Sequence, residues 1–306
     1  QGHRSPPPAP TPAAMAPAAD AAPAAATPTG DEPPAKVPRL DSGGDSAAWA
    51  AATDNCIPCI VALRVTAVRT FENEGGGVSG GTGFVVDDDR GLLLTNRHVV
   101  QAAPVRVMAT FDQHEEVDVE VVYRDPLHDF ALLRFDPSKL YLSRRARIRL
   151  TPEELKVGVD IRVIGNDDGE KLQILQGTIA RVDRNAPEYS DGAGDENTFY
   201  ASCGSNCSGG ASGSPVVNVR GHALAMLSGG ATDAAANFFL PLDKVVRALD
   251  CVQRGEPVPR GTIHVRFLFE PWAQLQRLGL SEAQRDRLLQ EREGLKGLLV
   301  AERAGE

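Results

Sequence analysis

One serine in this chain is embedded in residues small enough for backbone chemistry: Gly209-Gly210-Ala211-Ser212-Gly213-Ser214-Pro215. A serine hydroxyl is a weak nucleophile at neutral pH. It attacks a carbonyl carbon only when a base removes its proton and donors await the oxyanion that forms. A turn of small residues lets the N–H groups of Gly210 and Ser212 converge on one point, with Ala211 between them, and each such donor is worth about 10²–10³ in rate. Taken alone, the segment reads equally well as a flexible Gly/Ser loop. The base must come from elsewhere. Of His3, His98, His114, His128, His222 and His264, His3 lies in the Pro/Ala-rich tail, and His98 directly follows an apolar strand, in Leu93-Leu94-Thr95-Asn96-Arg97-His98. A strand end delivers a side chain to a fixed place. A lone histidine there is more often structural, but beside the serine segment it becomes the candidate base. The third member is a carboxylate that holds the imidazole tautomer. Asp129 opens the apolar run Phe130-Ala131-Leu132-Leu133-Arg134-Phe135. Asp125, in Arg124-Asp125-Pro126, competes for the role and could equally cap a turn. The order His, Asp, Ser is one of three in which such triads occur.

The elements that must bring these groups together are short. Runs rich in β-branched and aliphatic residues recur between turn residues: 60–68, 83–86, 92–95, 105–111, 117–123, 130–135, 160–164, 172–181, 215–219, 223–227 and 238–240. About ten strands with little helical periodicity between them predict an all-β barrel or sandwich. A helix is expected over Pro241 to Arg254, where Val245, Val246, Leu249 and Val252 share a face and Gly255 stops it. Pro257 to Gly261 reads as a linker. A strand over Thr262 to Phe269, a helix bearing Leu288 and Leu289, and a strand Gly297-Leu298-Leu299-Val300 follow, too few elements to close a core of their own.

The chain has 306 residues and a net charge of -9, with no basic stripe, so a nucleic acid is not expected as a partner. No apolar run approaches the roughly 18–20 residues of a bilayer span, so no membrane is expected. Five cysteines, Cys56, Cys59, Cys203, Cys207 and Cys251, read as reduced intracellular thiols. Residues 1–45 are Pro/Ala-rich with few large apolar groups and are expected to be disordered. Within them Pro34-Ala35-Lys36-Val37-Pro38-Arg39-Leu40-Asp41 has the look of a short nuclear import signal, or of an ordinary tail carrying two basic residues.

Longer motifs carry a resemblance. Gly81-Thr82-Gly83-Phe84-Val85-Val86, Thr95-Asn96-Arg97-His98-Val99-Val100, His128-Asp129-Phe130-Ala131-Leu132-Leu133 and Val163-Ile164-Gly165-Asn166, together with the serine segment, resemble the HtrA/Deg serine proteases. Tyr123 to Phe130, Gly165 to Leu172 and Asp183 to Tyr189 are most similar to the branch of nuclear pro-apoptotic HtrA-like proteases of fungi and their plant Deg relatives. The resemblance runs from about Asn55 to the C-terminus. It implies a chymotrypsin-like double six-stranded β-barrel over 46–256, then a linker and the first part of a PDZ domain over 257–306. It also implies an ATP-independent endopeptidase without cofactor, acting on protein or peptide substrates and assembling as a homo-oligomer, often a trimer. Gly297, Leu298, Leu299 and Val300 would then form the turn that holds a peptide carboxylate.

In that fold the primary substrate pocket would be lined by Leu227, Ser228 and Gly229 and closed by Phe238. No acidic residue sits at an obvious floor, so small or medium aliphatic residues are expected before the scissile bond, with Asp233 the residue most able to change this. The stretch Ser202 to Cys207 departs from the branch's usual Ala/Ser-rich run. Its cysteines, with Cys56 and Cys59, offer a weaker reading as zinc ligands, although Cys-x₃-Cys is an unusual spacing for that metal; no metal is expected. A different class of function, a peptide-binding or chaperone scaffold that no longer cleaves, is disfavoured because a scaffold has no need of all three groups. The tail and the fungal resemblance favour the nucleus, with plastid or cytoplasm as alternatives.

Overall fold

A computed structural model describes residues 43–70, 75–167, 171–187, 197–203, 211–231, 236–261, 265–292 and 295–302. The import-like segment, Asp168 to Glu170, Cys207, Gly210 and Asp233 lie outside the described residues. In chain order the first half holds α1 (Gly43–Cys56), β1 (Ile60–Ala67), β2 (Gly77–Asp87), β3 (Leu92–Thr95), α2 (Arg97–Val100), β4 (Val105–Thr110), β5 (Glu116–Arg124) and β6 (Ala131–Arg134). The second half holds β7 (Asp160–Asp167), β8 (Lys171–Thr178), β9 (Arg181–Asn185), β10 (Phe199–Ser202), β11 (Pro215–Val217), β12 (Ala223–Ala231), β13 (Ala236–Pro241) and α3 (Asp243–Arg254). After a connecting segment come β14 (Arg266–Pro271), α4 (Trp272–Arg277), α5 (Glu282–Glu291) and β15 (Gly297–Glu302).

The first six strands close a barrel in the order β1-β2-β3-β6-β5-β4, which leaves no unpaired edge. β1 alternates buried and outward residues, whereas all of Leu92, Leu93, Leu94 and Thr95 in β3 are buried. β3 is therefore covered on both faces, and its C-terminal end is a rigid place from which to project a side chain.

The second sheet has seven strands, not the six expected, in the order β8-β7-β11-β12-β13-β10-β9. The extra strand is a matter of bending. Only Ile179 and Ala180 separate β8 from β9. The Ile179 N–H donates to Val159 (2.9 Å), toward the β7 side, and the Ala180 N–H donates to Ser202 (2.8 Å), on the β10 side. One bent stretch thus serves both ends of the sheet and draws it round on itself. One apolar cluster is shared by the two halves, joining Phe84, Leu94 and Phe130 of the first to Tyr200, Met226 and Leu240 of the second.

Helix α1 was not expected, and three of its residues fall inside the stretch read as disordered. Its alanines, Ala47, Ala48, Ala50, Ala51 and Ala52, are strong helix formers with no apolar face to betray a period. It is anchored to the second half: Arg162 lies over the Trp49 ring (4.8 Å to the centroid) and donates to Thr53 Oγ1 (2.6 Å), and Cys56 Sγ donates to the Gly221 carbonyl (3.4 Å). The predicted helix before Gly255 is α3, ended by that glycine in the left-handed region at φ 70°.

The run Gly297 to Val300, read as a strand from its residues, lies inside strand β15, antiparallel to β14, with Gly297 opposite Pro271, Leu298 opposite Glu270, Leu299 opposite Phe269 and Val300 opposite Leu268. An aliphatic run with an apolar partner strand within reach extends and pairs with it.

Candidate active site

Past Thr95 the chain leaves the covered strand β3 and turns into the single helical turn α2, with Asn96 at its N-cap. His98 is thereby fixed at the barrel's rim. Asp129 holds it at two points. Its Oδ1 accepts the His98 backbone N–H (3.0 Å), and its Oδ2 lies 2.8 Å from His98 Nδ1. An ionised carboxylate can only accept, so Nδ1 carries the ring proton and Nε2 is left with its lone pair. The carboxylate side chain is 1% exposed and the imidazole 33%, so the acid is sheltered while the ring stays accessible.

Geometry also separates the two aspartates. Asp125 Oδ1 accepts from the N–H groups of Leu127 (3.0 Å) and His128 (2.8 Å) and lies 3.0 Å from His128 Nδ1. Its Oδ2 accepts the Tyr123 hydroxyl (3.1 Å). Asp125 is thus the cap of the turn that carries Asp129, and His128 belongs to the same cap. The turn is tied again by Asn96 Nδ2, which donates to the Asp129 carbonyl (3.0 Å), and by Arg97 Nη1, which donates to the Asp125 carbonyl (3.1 Å).

Ser212 is reached from the other barrel through Thr82. The Thr82 N–H donates to the Ser212 carbonyl (2.8 Å), the Thr82 carbonyl accepts the Thr95 hydroxyl (2.7 Å), and Thr82 Oγ1 accepts the Asn166 N–H (2.9 Å). Two bonds therefore connect the serine's own backbone to the residue three positions before His98. Thr82, Thr95 and Asn96 are wholly buried, so these bonds are made where competition with water is absent. Beyond the serine, the Gly213 N–H donates to the Leu227 carbonyl (2.9 Å), and the Ser214 hydroxyl donates to the Ala211 carbonyl (2.5 Å). Of the three residues expected at the oxyanion hole, Ala211 and Ser212 sit in this braced turn, and Gly210 lies outside the described residues.

The four residues expected at the pocket stand in different surroundings. Leu227 is 1% exposed and packs in the second barrel's core, and the Ser228 hydroxyl accepts from Asn96 Nδ2 (2.9 Å), which makes it a brace between barrels. Both side chains are buried. A bulge between Leu227 and Gly229 opposite Phe238–Phe239 resets the side-to-side alternation along β12. Gly229 faces open space. Phe238 meets Tyr200 edge-on (6.4 Å between centroids) and carries Arg184 over its ring (4.5 Å). It also borders a cavity of about 760 Å³ shared with Arg181, Asp183 and the β14 residues Leu268 and Phe269.

The thiols of Cys56, Cys59, Cys203 and Cys251 are buried. Burial pushes the Cys56 thiol up to about 11 and, aided by its neighbour Cys56, the Cys59 thiol up to about 12. Both are therefore neutral thiols within the core.

Residues 81–226 match the family model described as a trypsin-like peptidase domain. The chain is 50% identical over 238 residues to a protein of Aspergillus clavatus named pro-apoptotic serine protease nma111, covering 78% of this chain and 23% of that protein. A protein of the same name from Yarrowia lipolytica is 46% identical over 262 residues, covering 85% of this chain and 27% of the relative. The chain thus spans about a quarter of the length of the curated relatives it matches. Among solved structures, the active form of the Rv3671c protease from M. tuberculosis superposes with a TM-score of 0.55 at 25% identity, covering 78% of this chain and 97% of that one. The HtrA-type protease AlgW with a tripeptide gives a TM-score of 0.58 at 22% identity over 76% of this chain and 73% of its own, a likeness of fold.

Proposed function

We propose that this chain, whose residues 81–226 match the trypsin-like peptidase domain and whose motifs resemble the HtrA-type proteases, is an ATP-independent serine endopeptidase with Ser212 as nucleophile, His98 as base and Asp129 as the group that orients the histidine. The observation that carries this reading is the two-point grip of a buried Asp129 on a half-exposed His98. With Nδ1–H committed to the carboxylate, Nε2 takes the Ser212 proton as Oγ bonds to the scissile carbonyl carbon. The oxyanion is met by the N–H groups of the turn around Gly210, Ala211 and Ser212. The imidazolium then passes the proton to the leaving amine nitrogen as the C–N bond breaks. Water, deprotonated by the same Nε2, hydrolyses the acyl-enzyme. Every group the cycle needs is supplied by the chain and water, so no nucleotide is consumed.

A fluorophosphonate probe is expected to label the wild-type chain at Ser212 and to leave Ser212→Ala unlabelled. A wild type that stays unlabelled in monomeric, oligomeric and peptide-bound form would return the protein to the class of non-cleaving peptide-binding scaffolds.

The substrates we propose are unfolded protein segments cleaved after small or medium aliphatic residues. Support comes from Gly229, where an added methyl group meets nothing within 4 Å, and from Asn237, opposite Gly230, whose Nδ2 donates to Cys203 Sγ (3.7 Å), both side chains being buried. A peptide library varied at that position should show Val, Ala or Leu preferred, and a preference for Arg or Lys would overturn the assignment. We further propose that 257–306 is the opening part of a PDZ domain, that the protein works as a homo-oligomer, a trimer by family resemblance, and that it acts in the nucleus. No described helix is long and apolar enough to cross a membrane. Imaging a tagged protein with and without Lys36 and Arg39, and sedimentation of the purified chain, check the last two.

A further inference from the structure

We infer that Arg260 is a positioning residue for the catalytic carboxylate, acting through Asp125; the inference rests on the peptidase reading above and deepens it. Asp125 is fully buried. Its Oδ1 is filled by Leu127, His128 and the His128 ring, and its Oδ2 by the Tyr123 hydroxyl and the guanidinium of Arg260, which forms an ion pair with it. Arg260 is itself 30% exposed, donates from Nε to Tyr123 OH (3.1 Å) and lies 5.8 Å from the Tyr123 ring centroid. Burying a carboxylate is costly unless a cation and enough donors meet it. The charged and titratable groups facing it are Arg260, His128 and Tyr123, with Arg97 on its carbonyl. Of these, only Arg260 pairs its carboxylate with a permanent cation.

The consequence reaches the triad because the turn is short and closed. The Asp125 N–H donates to the Phe130 carbonyl (3.0 Å), and the Phe130 N–H donates to the His128 carbonyl (2.8 Å), with Asp129 between them. A rotation or protonation of Asp125 therefore displaces the carboxylate that must lie 2.8 Å from His98 Nδ1. Arg260 does not belong to either barrel. It sits between α3 and β14, in the segment that leads to the C-terminal elements, so the chain entering those elements braces the turn that aims the catalytic acid.

The test uses the whole chain in four forms: wild type, Arg260→Ala, Arg260→Lys, and Arg260→Ala combined with Asp125→Asn. Hydrolysis of a peptide substrate is followed from about pH 5 to 9 with kcat and KM resolved, beside the thermal midpoint. Arg260→Ala is expected to lower kcat about 10- to 100-fold at nearly constant KM, the cost of misplacing a group by about an ångström. Its acid limb should move to higher pH, because a buried carboxylate without its cation takes up a proton more readily. Arg260→Lys should recover most of the loss. In the Asp125→Asn background, removing Arg260 should cost less than about threefold more, because the two act as one unit. Arg260→Ala activity within about twofold of wild type, with an unmoved acid limb, overturns the inference even if the thermal midpoint falls. A wild type that neither cleaves nor reacts with fluorophosphonate sinks the peptidase reading instead. Positioning is then read directly from the low-field NMR signal of the His98 Nδ1–H. That signal should be sharp in wild type and broadened or lost in Arg260→Ala, and an unchanged signal overturns the inference on its own.

Discussion

Asp129→Asn is expected to lower kcat about 10⁴-fold while the protein stays folded and KM changes little. The size follows from the two-point grip. One oxygen of Asp129 accepts the backbone N–H of His98, the other meets Nδ1. An asparagine has one acceptor and one donor in place of two acceptors. The backbone N–H cannot change its role, so the amide oxygen must remain opposite it. The NH₂ group then faces Nδ1, which can satisfy it only as an acceptor. The ring proton is driven to Nε2, where the base needs a lone pair. The histidine is held in place in the wrong tautomer and cannot take the Ser212 proton. Steady-state hydrolysis and the rate of fluorophosphonate labelling should fall together, and a variant that keeps activity within about tenfold of wild type would show that Asp129 is not the group that sets the tautomer.

The serine segment, His98 and the acidic candidates were legible because catalysis demands particular residue types in small-residue or strand-end contexts. Asp129 was preferred to Asp125 only because it opens the apolar strand. The hydrogen bonds give the discriminating reason: Asp125 closes its own turn while Asp129 reaches His98. The bracing roles of Thr82, Thr95 and Ser228 escaped notice because a small hydroxyl in an apolar strand has no period of its own, and its partners lie up to 132 residues away, as for Asn96 and Ser228. The bulge at Ser228, which changes the side-to-side alternation of β12, has no mark in the residue types around it. Strand runs foretold the barrels well. They could not show that β8 and β9 are one bent passage, because the bend at Ile179–Ala180 involves neither glycine nor proline. Arg260 was visible only as part of a Pro-rich linker, and a linker's composition does not reveal what its side chains hold.

Gly213→Ala should abolish most activity and cost about 3 kcal/mol of stability, and a second glycine makes the cause readable. Gly213 has φ of +89°, and a methyl group there would lie 2.0 Å from the Thr82 carbonyl oxygen and 2.7 Å from Thr95 Oγ1. Those two atoms form one of the bonds that join His98's strand to Ser212's turn. Gly158 has nearly the same conformation, φ +88°, but a methyl group added there meets nothing within 4 Å. Gly158→Ala therefore carries the backbone strain alone, about 1–2 kcal/mol, and should leave kcat/KM unchanged. Gly213→Ala carries the same strain and the collision. The collision can be relieved only by drawing the serine turn away from Thr82, and displacing a nucleophile by about 1 Å costs on the order of 10²-fold or more. Urea midpoints and kcat/KM for both variants separate the two contributions. Equal losses of kcat/KM in the two would mean that the Thr82 junction does not hold the nucleophile in register with its base. Loss confined to Gly213→Ala would locate that register in one buried contact between the barrels.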